Sequence, residues 1–179
     1  MSRKEGEHSL DHYIEFGPFP SVGPTIPEFV ENPDRKGITP PQASNELDEL
    51  AKATFDALDK FQVGDSQEMR ETIADFKAFA HLASYYADKI RAALALHRFR
   101  VGGDEALRTE ALHHLDRAVA HWIDYGTIAS AQYSPQLLAR VDTTDWLGEL
   151  LDYAKQDSQI VRQAEHNVFP PSVLFLRTK

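Results

Sequence analysis

The sequence predicts an all-α fold, an antiparallel bundle of about four helices built on one long helix hairpin and preceded by an extended Pro-rich arm. Three observations predict it. Prolines and glycines crowd the first 40 residues, apolar residues recur at helical spacing from Pro40 onward, and no proline or glycine interrupts the stretch from Ser66 to Arg100. They divide the chain into an extended arm over 1–38 packed on the body, a helical bundle over 39–166 and an extended tail over 167–179.

In the arm, Pro18, Pro20, Pro24, Pro27 and Pro33 each fix their own φ and push the preceding residue out of the α region, which forbids a long helix. Yet Tyr13, Ile14, Phe16, Phe19, Ile26, Phe29 and Val30 are too apolar for a free linker, so the arm is expected to lie across the body and bury them. Thr25-Ile-Pro-Glu28 has capping-box spacing and predicts one helical turn.

The body opens at Thr39-Pro-Pro-Gln42, a capping threonine followed by proline at the first helical position. Leu47, Leu50, Ala51, Thr54, Leu58 and Phe61 then mark a first helix to about Phe61. Asp65-Ser-Gln-Glu68 caps a second, whose stripe is Ile73, Phe76, Phe79, Ala83, Tyr86, Ile90, Ala93 and His97. At 1.5 Å per residue it is on the order of 50 Å long. Gly102-Gly103 ends it and Asp104 caps a third, about Glu105 to Tyr133, with Ala111, Leu115, Ala118, Trp122, Tyr125 and Ala129 as a packing seam. Two long helices joined by so short a link make an antiparallel hairpin. Ser134-Pro135 starts a short turn, and Asp142-Thr-Thr-Asp-Trp146 opens a fourth helix to about Gln163. The tail carries Pro170-Pro171 and the apolar run Val173-Leu-Phe-Leu176.

Composition excludes several classes of function. There is no cysteine, hence no disulfide, thiolate metal site or cysteine nucleophile. Met1 to Asp11 has no apolar core of the signal-peptide kind, and no apolar run is long enough for a bilayer, so a cytoplasmic, non-membrane protein is expected. The formal net charge of −9 repels a phosphate backbone, which argues against nucleic acid. Lys77, Lys89, Arg91, Arg98 and Arg100 gather along the second helix, but with Glu68, Glu71 and Asp75 at its start that order suits the helix dipole. No Gly-rich phosphate loop and no Gly-x-Ser-x-Gly setting occurs.

Glu110-Ala-Leu-His113 puts a carboxylate and an imidazole on one helical face, half of a di-iron motif whose second half is missing. His114 and His121 share one flank of the third helix, while His81 and His97 lie on the second, and four imidazoles across a hairpin could bind zinc. None has the tight spacing of a zinc motif, and packing with one hydrogen bond each is the preferred reading. A metal-binding enzyme or sensor using Glu110, His113, His114, His121 and His81 is the alternative; no cofactor is expected. Among the aromatics, Tyr86 and Trp122 lie on core stripes, whereas adjacent Tyr85 should point away from that core. Tyr85, Tyr133 and Trp146 are therefore the candidate surface for a glycan or a partner.

Four phrases in order, Thr25-Ile-Pro-Glu-Phe-Val30, Tyr85-Tyr-Ala-Asp-Lys-Ile-Arg-Ala92, His121-Trp-Ile-Asp-Tyr125 and Gln132-Tyr-Ser-Pro-Gln136, resemble the helical C-terminal region of large bacterial glycoside-hydrolase-like proteins. The likeness runs from about Thr25 to Ile160. In that family an α/β-barrel catalytic domain precedes this region. The barrel and its acid/base carboxylates are not in this sequence, and none of the four phrases is a catalytic motif. The resemblance therefore implies a non-catalytic helical accessory domain, docked on a neighbouring catalytic domain or a protein partner, with homo-oligomers a further outcome. A carbohydrate-binding module is the second alternative.

Overall fold

Six helices are present among the described residues: α1 (Leu10–Phe16), α2 (Ile26–Glu31), α3 (Pro40–Leu58), α4 (Gln67–Gly102), α5 (Glu105–Gln132) and α6 (Glu149–Gln163). A two-residue antiparallel ladder, β1 (Leu137–Leu138) with β2 (Asp142–Thr143), pairs Leu137 with Thr143 and Leu138 with Asp142. The computed structural model describes residues 9–16, 22–61, 66–134, 137–138 and 142–169. Pro18, Phe19, Pro20 and the run Val173 to Leu176, on which the sequence reading also drew, lie outside them.

The long hairpin forms because its caps are written into the chain. Ser66 Oγ accepts the Met69 amide at 3.3 Å and opens α4, whose 36 residues span about 54 Å at 1.5 Å per residue. Gly103 ends it in the left-handed region, φ 76°, with its amide on the Phe99 carbonyl. Asp104 then accepts the Ala106 amide at 2.9 Å and starts α5. The two helices run antiparallel. Arg108 lies over the Phe99 ring near the connection, and Gln132 donates to Asp75 at the far end. Ala92, Ala95, Ala111 and Ala118 are buried and keep the facing surfaces low.

Around this hairpin, α3 packs on α4 and α6 on α5. Thr39 and Gln42 form the expected capping box at the start of α3. That helix ends at Leu58, short of the expected Phe61. Arg91 fixes α3 to α4 by donating to Asp48 at 2.6 Å and to Asn45 at 3.1 Å.

The arm departs from expectation. Its described part holds two short helices, α2 at the predicted Thr25–Glu28 turn and α1, which was not foreseen, while 22–25 and 32–38 lie outside helix. Pro27 sits in the first turn of α2, behind the Thr25–Glu28 capping box, and α1 contains no proline. Ser9 Oγ accepts the His12 amide at the entry to α1. Both helices lie on α4 and supply Leu10, Ile14 and Ile26, each fully buried, to a core with Leu96, Phe99, Leu115 and Val161. Each such side chain contributes about 1.5–3 kcal/mol.

The fourth long helix starts later than predicted. Asp142 and Thr143 lie in β2, and Trp146 falls in a turn instead of a first helical turn. Asp145 accepts the Gly148 amide at 2.8 Å, and α6 begins only at Glu149. No described helix is long and apolar enough to cross a membrane.

Candidate functional site

Helix α4 is covered on most sides from Ser84 to Arg100, since α1, α2, α3 and α5 all pack on it and α6 reaches Lys89. Polar side chains in that stretch must find partners inside. Lys89 does so with Asp157 of α6 at 2.8 Å, the two side chains 2% and 3% exposed. Lys89 also donates to the Tyr85 hydroxyl at 3.1 Å, and its ammonium lies 5.1 Å from the centre of the Tyr13 ring. Asp157 in turn accepts the Leu10 amide at 2.8 Å. Burial raises the Asp157 carboxyl above its ordinary value, Lys89 opposing the shift, and burial also raises the Tyr13 and Tyr85 phenols.

A second buried anion, Asp88, gathers a different set. His114 Nδ1 is 2.9 Å away, Arg117 Nε 3.2 Å and Arg91 3.7 Å. His114 and Arg117 reach this fully buried carboxylate from α5 and tie that helix to α4, while Arg91 approaches it from α4 itself.

At the next level of the hairpin, His81 of α4 faces His121 and Asp124 of α5. The two Nδ1 atoms are 3.4 Å apart, and His81 Nδ1 is 3.6 Å from an Asp124 carboxylate oxygen. One ligand atom from each residue lies within 4.8 Å of the others. Phe55 of α3 sets its ring edge-on to His81, at 4.9 Å between centres. Burial is the main cause that lowers the His81 pKa, with Lys77 and His121 acting in the same direction and Asp124 against.

The sequence-derived metal candidates are thus divided. His81 and His121 meet. His114 is taken by Asp88, with Glu110 4.0 Å from its other nitrogen, and His113 is exposed, touching only the His114 ring among the aromatic contacts. His97 is buried against Phe169. Asp124 was missed, although His121-x-x-Asp124 is the one-turn spacing that puts two side chains on one face.

Tyr85 is a correction. It was expected at the surface, and it is 6% exposed, drawn inward by Lys89 and set between the rings of Tyr86 and Trp122. Adjacent Tyr85 and Tyr86 can both be covered because α4 has neighbours on several sides. Tyr133 is exposed at the far end of the hairpin and donates to Asp75 at 2.5 Å, which raises its phenol pKa. Trp146 is half-buried, and its carbonyl accepts the Trp122 indole at 2.8 Å. With Tyr85 inside, these three residues do not share one open surface.

Two residues of the predicted core stripe lie outside it. Phe76 and Phe79 are 53% and 63% exposed, and with Met69 they occupy one face of α4 by their spacing of seven and three. Leu50, assigned to the seam of α3, is exposed as well. Comparison of the chain with protein families, curated proteins and solved structures gives no match.

Proposed function

We propose that this chain is a non-catalytic helical accessory domain whose hairpin offers an apolar face to a neighbouring catalytic domain or a partner protein. The carrying observation is the face formed by Met69, Phe76 and Phe79 on the first four turns of α4. Two exposed phenylalanines one turn apart are costly to leave in water, and aromatic side chains with methionine are what protein interfaces favour. The sequence likeness to the helical region behind barrel-type glycoside-hydrolase-like enzymes supplies the kind of neighbour. The ionisable groups with the strongest interior contacts, Lys89, Asp157 and Asp88, are buried in structural pairs that no substrate can reach, which favours a scaffold over an enzyme.

The test is co-expression with a barrel-type carbohydrate-active protein of the same genome. The wild-type chain is expected to co-purify with it, and the pair Phe76→Glu and Phe79→Glu to lose the partner while melting at an unchanged temperature. Co-purification undiminished by the pair would overturn the reading, as would unfolding of the pair.

A further inference from the structure

His81, His121 and Asp124 form a cluster that the docking reading leaves unused. Two imidazoles and a carboxylate, brought together from two helices, are the donor set of first-row divalent metal sites. The spacing between donors distinguishes among such sites. Bonds of about 2.05 Å arranged tetrahedrally set neighbouring donors about 3.35 Å apart, while an octahedral shell at the same length sets them about 2.9 Å apart. The observed 3.4 Å between the imidazoles and 3.6 Å from His81 to Asp124 lie nearer the tetrahedral edge than the octahedral one, and all three ligand atoms lie within 4.8 Å of one another. A direct hydrogen bond between the rings is a poorer use of the same atoms. At 3.4 Å it lies beyond the usual N–H···acceptor range, and it needs one ring protonated at Nδ1 facing a bare nitrogen on the other.

The surroundings suit a cation. His81 is largely buried, its side chain 20% exposed, with Phe55 walling one side, whereas Asp124 is 58% exposed and brings a negative charge at the solvent edge. Lys77, one turn before His81, is the opposing charge. The ligands come from a rigid hairpin, two of them one turn apart on α5, so little ordering remains to be done on binding. We propose that His81, His121 and Asp124 are a three-ligand zinc site bridging α4 and α5, its fourth position open to water.

Calorimetric titration of the purified chain with zinc sulfate tests it. One equivalent of Zn2+ should bind with micromolar or tighter affinity, and saturating metal should raise the melting temperature by several degrees. Asp124→Asn, a surface change that leaves the fold intact by circular dichroism, should weaken binding at least tenfold, and His121→Ala should abolish it. His113→Ala should bind as the wild type does. In the Co2+ form, intense visible absorption should report a tetrahedral shell that His121→Ala loses. Absence of Zn2+ binding at millimolar metal, or binding indifferent to both Asp124→Asn and His121→Ala, would overturn the proposal. Because the readout is metal bound to the isolated chain, its failure is independent of whether the apolar face of α4 docks a partner.

Discussion

Lys89 and Asp157 are paired at 2.8 Å with neither side chain more than 3% exposed, joining the middle of the longest helix to the last one. Charges this deeply placed hold only as a set, since each alone would be an uncompensated ion in a dry interior. Lys89→Met or Asp157→Leu alone should therefore cost about 3–5 kcal/mol, while the double substitution should recover most of that loss. Urea unfolding of the three variants measures it, and a double mutant no better than the singles would refute the coupling.

The same carboxyl gives a pH signature. Its folded-state pKa is raised above the ordinary 3.8, chiefly by burial. The folded chain thus keeps a proton that the unfolded chain has released, in a window that opens near 3.8 and extends upward. The stabilisation from this proton is fully present below 3.8 and is lost as pH rises through the folded value. The stability of the wild type measured against that of Asp157→Asn should accordingly fall on going from acid to neutral pH. A pH-independent difference would show that burial does not govern this group.

Exposure sorts α4's aromatic and aliphatic positions into two classes. Phe76→Ser and Phe79→Ser should change stability by no more than about 0.5 kcal/mol each, as surface substitutions do. Ile73→Ala, on the neighbouring turn but only 9% exposed, should cost about 2–5 kcal/mol. Thermal denaturation separates them, and a large loss at Phe79 would return it to the core.

Gly103 connects the two arms of the hairpin at φ 76°, and a Cβ there would meet the His166 ring at 3.1 Å. Gly103→Ala is strained on both counts and should destabilise the chain by at least about 1 kcal/mol. Gly102, where a Cβ would meet nothing within 4 Å, is the control, and Gly102→Ala should be close to neutral or stabilising.

The hairpin was legible in the sequence because its signals are local. Caps at Ser66 and Asp104, the stop at Gly102-Gly103 and unbroken helical spacing require no knowledge of neighbours. What α4 touches was not legible. A periodic stripe assumes that a helix has one buried face, and α4 violates this twice. Near Tyr85 and Lys89 several helices cover it, while near Phe76 one face has no cover among the described residues. Helix α1 was hidden for a related reason, since the prolines that follow from Pro18 disguised the proline-free Leu10–Phe16, whose Leu10 and Ile14 are buried. In the histidine cluster, two of three residues could be named from hairpin topology. Asp124 could not, because an exposed aspartate one turn after a histidine looks like any solvated carboxylate until His81 is seen opposite.

The hydrogen bond from the Leu10 amide to Asp157 spans 147 positions of chain. During synthesis it orders events in time. Lys89 emerges long before its anion exists, so a nascent hairpin carries an ammonium it cannot seal in, and α4 must stay partly hydrated until α6 has been made. Helix α1, made before the other described helices, can dock on α4 through Asp11 and Arg100, but its Leu10 amide gains its acceptor only once α6 has been made. That delay leaves the Lys89 pocket open to water until α6 is in place, and couples its sealing to the seating of α1.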